Sequence, residues 1–182
     1  MNLPGASLLV HLTETDSTQT QARKLAEEGC PDATVVWADR QSAGRGRLER
    51  HWESPEGNLY FSAIFRPRFA PTALAAFSLG AAGAIAAALR AHAGVATAVK
   101  PPNDVYALKG RSARKICGIL AEAAGGQEKL DWLVVGVGIN VNLVPPKAPN
   151  ATCLKCLTTK GWDVGEVLAA VWPGLVELSR EK

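Results

Sequence analysis

From Val95 to Asn142 the chain offers one short β-rich run after another, with turns between them and no helical stretch. Val95 to Val99 reads as a strand, stopped by Pro101-Pro102 because proline cannot donate to a ladder. Val105 to Leu108 and Ile116 to Glu122 read as the strands of a hairpin around a basic turn, Lys109 to Lys115. Leu130 to Asn142 carries a strand ending in Gly136-Val137-Gly138-Ile139-Asn140. Strands in runs joined by hairpins, with few helices, favour an α+β fold: a mixed, largely antiparallel sheet flanked by helices on one side, not a doubly wound parallel sheet.

The rest of the chain fits that frame. Asp16 to Glu28 is a helix that Ser17 or Thr18 can cap, with an apolar stripe of Ala22, Leu25 and Ala26 and an end at Gly29. Thr34 to Ala38 and Asn58 to Phe65 are strands. Between them Gln41 to Gly57 is polar, basic and glycine-rich, and a loop of seventeen residues is long enough to suspect function. Pro71 to His92 is a helix, uncharged from Ala73 to Leu89. That run is shorter than the ~20 residues a span needs, and it is mostly Ala and Gly, which predicts a buried core helix. Val164 to Leu178 is helical in pattern, with a kink or break expected at Pro173-Gly174.

At 182 residues a single domain, 1–182, is expected. Met1 to Leu12 lacks the basic and apolar pattern of a secretory signal, so the cytoplasm is the expected compartment and no membrane partner is expected. The net charge of +3 hints at anionic ligands without arguing for nucleic acid. Cys30, Cys117, Cys153 and Cys156 are too few and irregular for a disulfide framework, and Cys153-x-x-Cys156 has no second pair to complete a zinc site. Reduced thiols are the expectation, and His11, His51 and His92 show no metal-ligand spacing.

Three stretches carry chemistry. Gly44-Arg45-Gly46-Arg47, with Arg40 and Arg50 nearby, lets a backbone come close to a ligand and presents planar, permanently charged donors to phosphate or carboxylate. It lacks the Gly-Lys-Ser/Thr ending of a Walker loop, and alone it reads equally as a solvated basic loop or an RNA-binding patch. Lys100-Pro101-Pro102-Asn103-Asp104 fixes where Asn103 and Asp104 point, and Lys115 opens the following apolar strand. A rigid hairpin with surface charges is the plainer alternative. The glycines of Gly136 to Asn140 allow close approach of a flat ligand, or simply end a strand.

These stretches stand in one order with others: Asp16-Ser17-Thr18, Gln41, the Gly-Arg loop, Trp52-x-Ser54-Pro55-x-Gly57-Asn58-Leu59-Tyr60, Asn103-Asp104, Lys115-x-x-Gly118 and Gly138-Ile139-Asn140. From about Thr13 to Leu154 the chain resembles the biotin–protein ligase family, also called biotin–acetyl-CoA-carboxylase ligases. The resemblance implies the biotin/lipoate ligase catalytic core, class II synthetase-like, and an enzyme that forms biotinyl-5'-AMP from biotin and ATP with Mg²⁺. The biotinyl group would then pass to a lysine of a biotin carboxyl carrier protein of acetyl-CoA carboxylase or a related carboxylase. In the implied roles, Ser17, Thr18, Gln19, Gln41 and Gly118 hold biotin. Arg45 and Arg47, with the Gly44 to Gly46 backbone, hold its carboxylate and the α-phosphate, and Lys115 bridges the two. Lys100, Asn103 and Asn140 belong to the ATP side, Trp52 closes over the intermediate, and Asp104 sits where the carrier lysine loses its proton. No residue set is expected to hold a metal.

The chain departs from the family pattern in places. Pro101 stands where the family has Trp, and Gln19 where it has Asn. A longer turn after Asp104 leaves Lys109 as the alternative to Lys115. Some members of the family carry two further modules; only a dozen residues precede the first motif here, so no N-terminal winged-helix domain and no DNA partner are expected, nor is a C-terminal β-barrel. A homodimer through exposed sheet or the Ala-rich helix is compatible with the pattern. The competing functions are a lipoate or octanoate ligase or transferase on the same fold, a non-catalytic biotin-binding or regulatory protein, and an RNA-binding module.

Overall fold

The computed structural model describes residues 3–181. The chain runs through β1 (Leu8–Thr15), α1 (Thr18–Glu27), β2 (Thr34–Gln41), β3 (Leu59–Phe65), α2 (Leu74–Ala93), β4 (Thr97–Lys100), β5 (Asp104–Lys109), β6 (Ser112–Gly125), β7 (Leu130–Ile139), α3 (Leu154–Thr158) and α4 (Val164–Arg180). One seven-stranded sheet has the order β1-β2-β3-β7-β6-β5-β4. Only β1 and β2 run parallel, joined through α1, and every other pair is antiparallel. The mixed, largely antiparallel sheet is the one expected, but helices cover both of its faces.

Alternation along the strands decides what each face holds. On one face Phe61, Ala63 and Phe65 of β3 and Leu133, Val135 and Val137 of β7 pack under α2 and α4, in a cluster that includes Ile85, Leu89 and Trp172. On the other, Ile64 and Val134 meet Ala22 and Ala26 of α1 in a smaller cluster. The helix α2, uncharged as far as Leu89, has together with the turn before it the length and composition of a membrane span. Here its Phe77, Ala81, Ala82, Ile85, Ala86 and Leu89 are buried against the sheet and α4, as a core helix requires.

Several expectations need correction. The strand β1 and the short α3 went unread. The basic stretch 109–115 is mostly strand: Lys109 pairs with Ser112, and the turn is only Gly110-Arg111, with Gly110 at φ +59. Pro173 does not break α4, which runs seventeen residues. Burial of Val171, Trp172, Leu175 and Val176 outweighs the hydrogen bond that proline removes, and Gly174 lets the helix lie against Ala84 of α2. Cys153 and Cys156 are joined in a disulfide, not reduced. One turn at the start of α3 sets their Cα atoms 5.1 Å apart, within reach of that bond. Cys30 and Cys117 are free thiols.

Candidate active site

On the α1 face the sheet is nearly bare at its centre. Gly118 of β6 and Gly138 of β7 are register partners, and Gly136 sits one step along, opposite Ser62 of β3. A Cβ on Gly118 would lie 2.8 Å from the Trp52 ring, and one on Gly138 would lie 2.5 Å from Trp52 Nε1. A Cβ on Gly136 would collide with the Gln19 amide. The glycines expected to approach a flat ligand therefore make room first for Trp52 and Gln19, which brings both side chains down onto the sheet.

Over this floor lies a cavity of about 510 Å³. Ser17, Thr18, Gln19, Gln41, Arg45, Gly46, Arg47, Trp52, Asn103, Asp104, Lys115, Gly118 and Asn140, all singled out in the sequence, line it. Two others do not. Gly44 lies beneath the backbone of Trp52 and the Ser54 hydroxyl, where a side chain would not fit. Lys100 turns outward, with its Nζ 3.4 Å from Tyr106 Oη and 5.0 Å from the centre of that ring. The alternative Lys109 stands exposed at the tip of the β5–β6 hairpin, away from the cavity.

A bulge aims Lys115. Tyr106 pairs with Lys115 but Val105 pairs with Cys117, so Ile116 is an extra residue in β6. Lys115 and Cys117 therefore face opposite sides. Ile116 and Cys117 are buried in the α2–α4 core, where burial pushes the Cys117 thiol well above its ordinary pKa. Lys115 points to the cavity, its Nζ 2.7 Å from Asp104 Oδ1 and 5.2 Å from the centre of the Trp52 ring. The contact with Asp104 is an ion pair, not an aligned hydrogen bond. The Lys115 backbone is clasped by the segment before α3: its N–H donates to Asn150 O and its carbonyl accepts from Thr152 N–H. The same segment fixes Asn140, whose Nδ2 donates to Thr152 O at 3.1 Å.

Asn140 Oδ1 and Ser17 Oγ are buried without a partner. Buried polar atoms are rarely left unpaired, so these two, on residues lining the cavity, are ready to receive a ligand's polar groups. Other amides are committed. Gln41 Oε1 accepts from Thr18 N–H and Oγ1–H, and its Nε2 donates to Ser54 Oγ. Asn103 accepts from Arg47 at 3.0 Å and donates to Ile119 O at 2.7 Å.

The loop after β2 lies over this cavity. Its backbone folds on itself, Gly46 N–H donating to Arg50 O and Trp52 N–H to Gly44 O. Tyr60 Oη–H donates to Pro55 O and ties the loop's far end to β3, and burial pushes that phenol's pKa up. The Arg45 guanidinium pairs with both oxygens of Glu122, at 2.7 and 3.1 Å. Glu122, Ser62, His51 and Lys147 were missed in the sequence. The last three line the cavity, whereas Glu122 meets Arg45 and Gln19 beside it. Alternation from Gly118 along β6 puts Glu122 on the same face and could have flagged it.

The cavity thus gathers Arg45, Arg47, Arg50, Lys115 and Lys147 against Glu53 and Asp104. An excess of cations beside unpartnered polar groups suits a ligand with an anionic middle and polar ends.

Comparison with known proteins agrees with that chemistry. The profile of the Biotin/lipoate A/B protein ligase family matches residues 12–140. The bifunctional ligase/repressor BirA of Bacillus subtilis is 37% identical over 80% of this chain and 44% of its own length. The biotin–[acetyl-CoA-carboxylase] ligase of Paracoccus denitrificans is 39% identical over 74% of this chain and 55% of its own length. The chain thus spans about half the length of such relatives. Among solved structures, biotin protein ligase from Aquifex aeolicus in complex with biotin and ATP superposes with a TM-score of 0.78 at 36% identity, over 94% of this chain and 70% of that one.

Proposed function

The chain belongs to the biotin/lipoate A/B protein ligase family, and on that premise we propose that it activates biotin with ATP and passes it to a lysine of a carrier protein. The observation that carries the reading is the convergence of Arg45, Arg47 and Lys115 on one cavity beside the unpartnered Ser17 Oγ and Asn140 Oδ1. A carboxylate attacking an α-phosphorus brings two anions together, so cations must already stand between them.

In this reading Ser17 and Thr18 hold the ureido head of biotin, and Asn140 meets the adenine. A carboxylate oxygen of biotin bonds to the α-phosphorus, and the bridging oxygen leaves with pyrophosphate. Arg45, Arg47 and Lys115 stabilise the charge that builds there. The lysine amine of the carrier then attacks the acyl carbon, AMP leaves, and Asp104, already paired with Lys115, is placed to take the amine's proton. Mg²⁺ would enter on the triphosphate and neutralise part of its charge. Among the described residues no cluster of three His, Cys, Asp or Glu side chains could hold the ion, whereas the cationic lining fits a nucleotide that carries it. Trp52 and the loop would keep water from the acyl-adenylate.

The carrier proposed is the biotin carboxyl carrier protein of acetyl-CoA carboxylase or a related carboxylase, and the proposal includes a cytoplasmic setting, no DNA or membrane partner, and homodimer formation. The test is mass spectrometry of the protein with ATP, Mg²⁺ and biotin, lipoate or octanoate. Biotinyl-AMP with biotin alone is the expected product. Lipoyl- or octanoyl-AMP would move the specificity within the family, and no adenylate with any acid would sink the enzymatic reading.

A further inference from the structure

A row of polar side chains crosses the sheet beside the cavity. Ser62 Oγ lies 3.0 Å from Gln19 Oε1, Gln19 Nε2 donates to Glu122 Oε2 at 2.9 Å, and both oxygens of Glu122 take the Arg45 fork. Gly136 leaves the space that the Gln19 amide fills. The row therefore connects the start of α1 to the loop through one carboxylate. Arg45 is one of the cations that meet the substrate's carboxylate and the α-phosphorus in the reading above, yet its fork is occupied here by a carboxylate of the protein. A planar guanidinium that binds one carboxylate with two parallel bonds cannot offer that fork to another. The two side chains are only partly exposed, 41% for Arg45 and 25% for Glu122, so the pair is better shielded than a free surface ion pair.

We propose that Glu122 is a positioning residue that stands in for the acid substrate: it holds Arg45, and with it the loop, until an incoming carboxylate takes the fork from it. The inference rests on the acid-activating reading of the site. It assigns Glu122 no contact with the reacting atoms. Removing its charge frees Arg45, which should loosen the loop in the ligand-free protein and favour the acid by the same factor, because the competitor is gone.

The test compares wild type, E122Q and E122D by hydrogen exchange over residues 42–53 and by biotin titration. E122Q keeps the shape and an oxygen for Gln19. It should speed exchange of the ligand-free loop about two- to fivefold, the size expected of a half-exposed bidentate pair, and lower the biotin Kd by a similar factor. With biotin, ATP and Mg²⁺ bound, the loops of wild type and E122Q should exchange alike, since Arg45 has left Glu122 in both. E122D keeps the charge on a shorter stem and should fall between them. A purely structural role would raise exchange equally with and without ligand. That result, unchanged ligand-free exchange, or a weaker biotin Kd in E122Q would overturn the proposal. If the wild type binds no biotin, the functional reading falls on its own, and the ligand-free exchange still decides whether Glu122 holds the loop.

Discussion

The two faces of the sheet are built from the same strands and do opposite things. Along β7, Leu133, Val135 and Val137 go to the α2–α4 side and are buried there among Phe61, Phe65 and Trp172. On the other side Val134 packs against α1, but the next two residues of that face, Gly136 and Gly138, leave it hollow. One face fills its space with large apolar side chains, which hold the fold together. The other withholds side chains at three positions, Gly118, Gly136 and Gly138, and so admits Trp52, Gln19 and a ligand-sized cavity. Stability and chemistry are thereby separated by the period-two alternation of a strand. Substitutions on the packed face should appear in stability, and those on the hollow face in activity.

The largest effect should come from the packed face. Trp172 is fully buried, stacks on Phe65 with ring centres 5.9 Å apart and donates its Nε1–H to Pro4 O at 2.9 Å. Trp172→Ala should cost about 3–5 kcal/mol by urea denaturation, the usual penalty for truncating a buried indole. Adenylate formation per folded molecule should stay near wild type. A loss below about 1 kcal/mol, or a matching loss of activity in the folded fraction, would break the division between faces.

Next in size is Lys115→Ala on the hollow face. It should cut biotinyl-adenylate formation by ~10²-fold or more, with only a small change in Tm, because the ammonium acts on charge that builds in the transition state. The Asp104 that loses its partner is 22% exposed at the side chain and can be hydrated. Gly138→Ala should follow. Its new methyl would drive the Trp52 indole off the sheet, at about 1–3 kcal/mol of overpacking unless the loop opens. A change in tryptophan fluorescence together with roughly tenfold slower adenylate formation is the expected outcome. A quiet fluorescence signal would mean that Trp52 does not rest in the glycine slot.

The same division explains how much of the molecule was legible in the sequence. Most of the residues that a ligand would touch lie in short, locally marked stretches, so Arg45, Asp104, Lys115 and Asn140 could be read as chemistry, and Ser17, locally only a helix cap, through the family resemblance; all five are found on one cavity. Lys100 entered the ATP set through the family resemblance; it is the register partner of Asp104, but its long side chain lies along Tyr106 and not in the cavity. Ser62 carries no local signal and Glu122 only its alternation with Gly118, because their meaning comes from pairing β3 and β6 across β7. Helices on both faces, the continuation of α4 through Pro173 and the extension of β6 back to Ser112 likewise follow from tertiary packing, which overrides local propensity.

The smallest effect sharpens the boundary between the two regimes. Asp16 sits where β1 turns into α1, and its backbone carbonyl accepts from Ala43 N–H, joining helix start and loop. Its carboxylate accepts from Gln21 Nε2 at 2.8 Å, from Ser17 N–H and from the Thr15 hydroxyl, and these bonds, the Gln21 one foremost, hold its pKa below the ordinary value despite some desolvation. A carboxyl whose pKa is lower folded than unfolded stabilises the fold above the unfolded value. That contribution is lost as pH falls through the folded one. Because the group is largely exposed, screening limits the contribution to roughly half a kcal/mol or less. Asp16→Asn should therefore be slightly less stable than wild type at pH 7, and the gap should close as the pH drops below about 4. Denaturation curves at both pH values check this. A gap that persists in acid, where both side chains are neutral, would mean that the loss comes from the amide's different hydrogen-bonding groups and not from the missing charge.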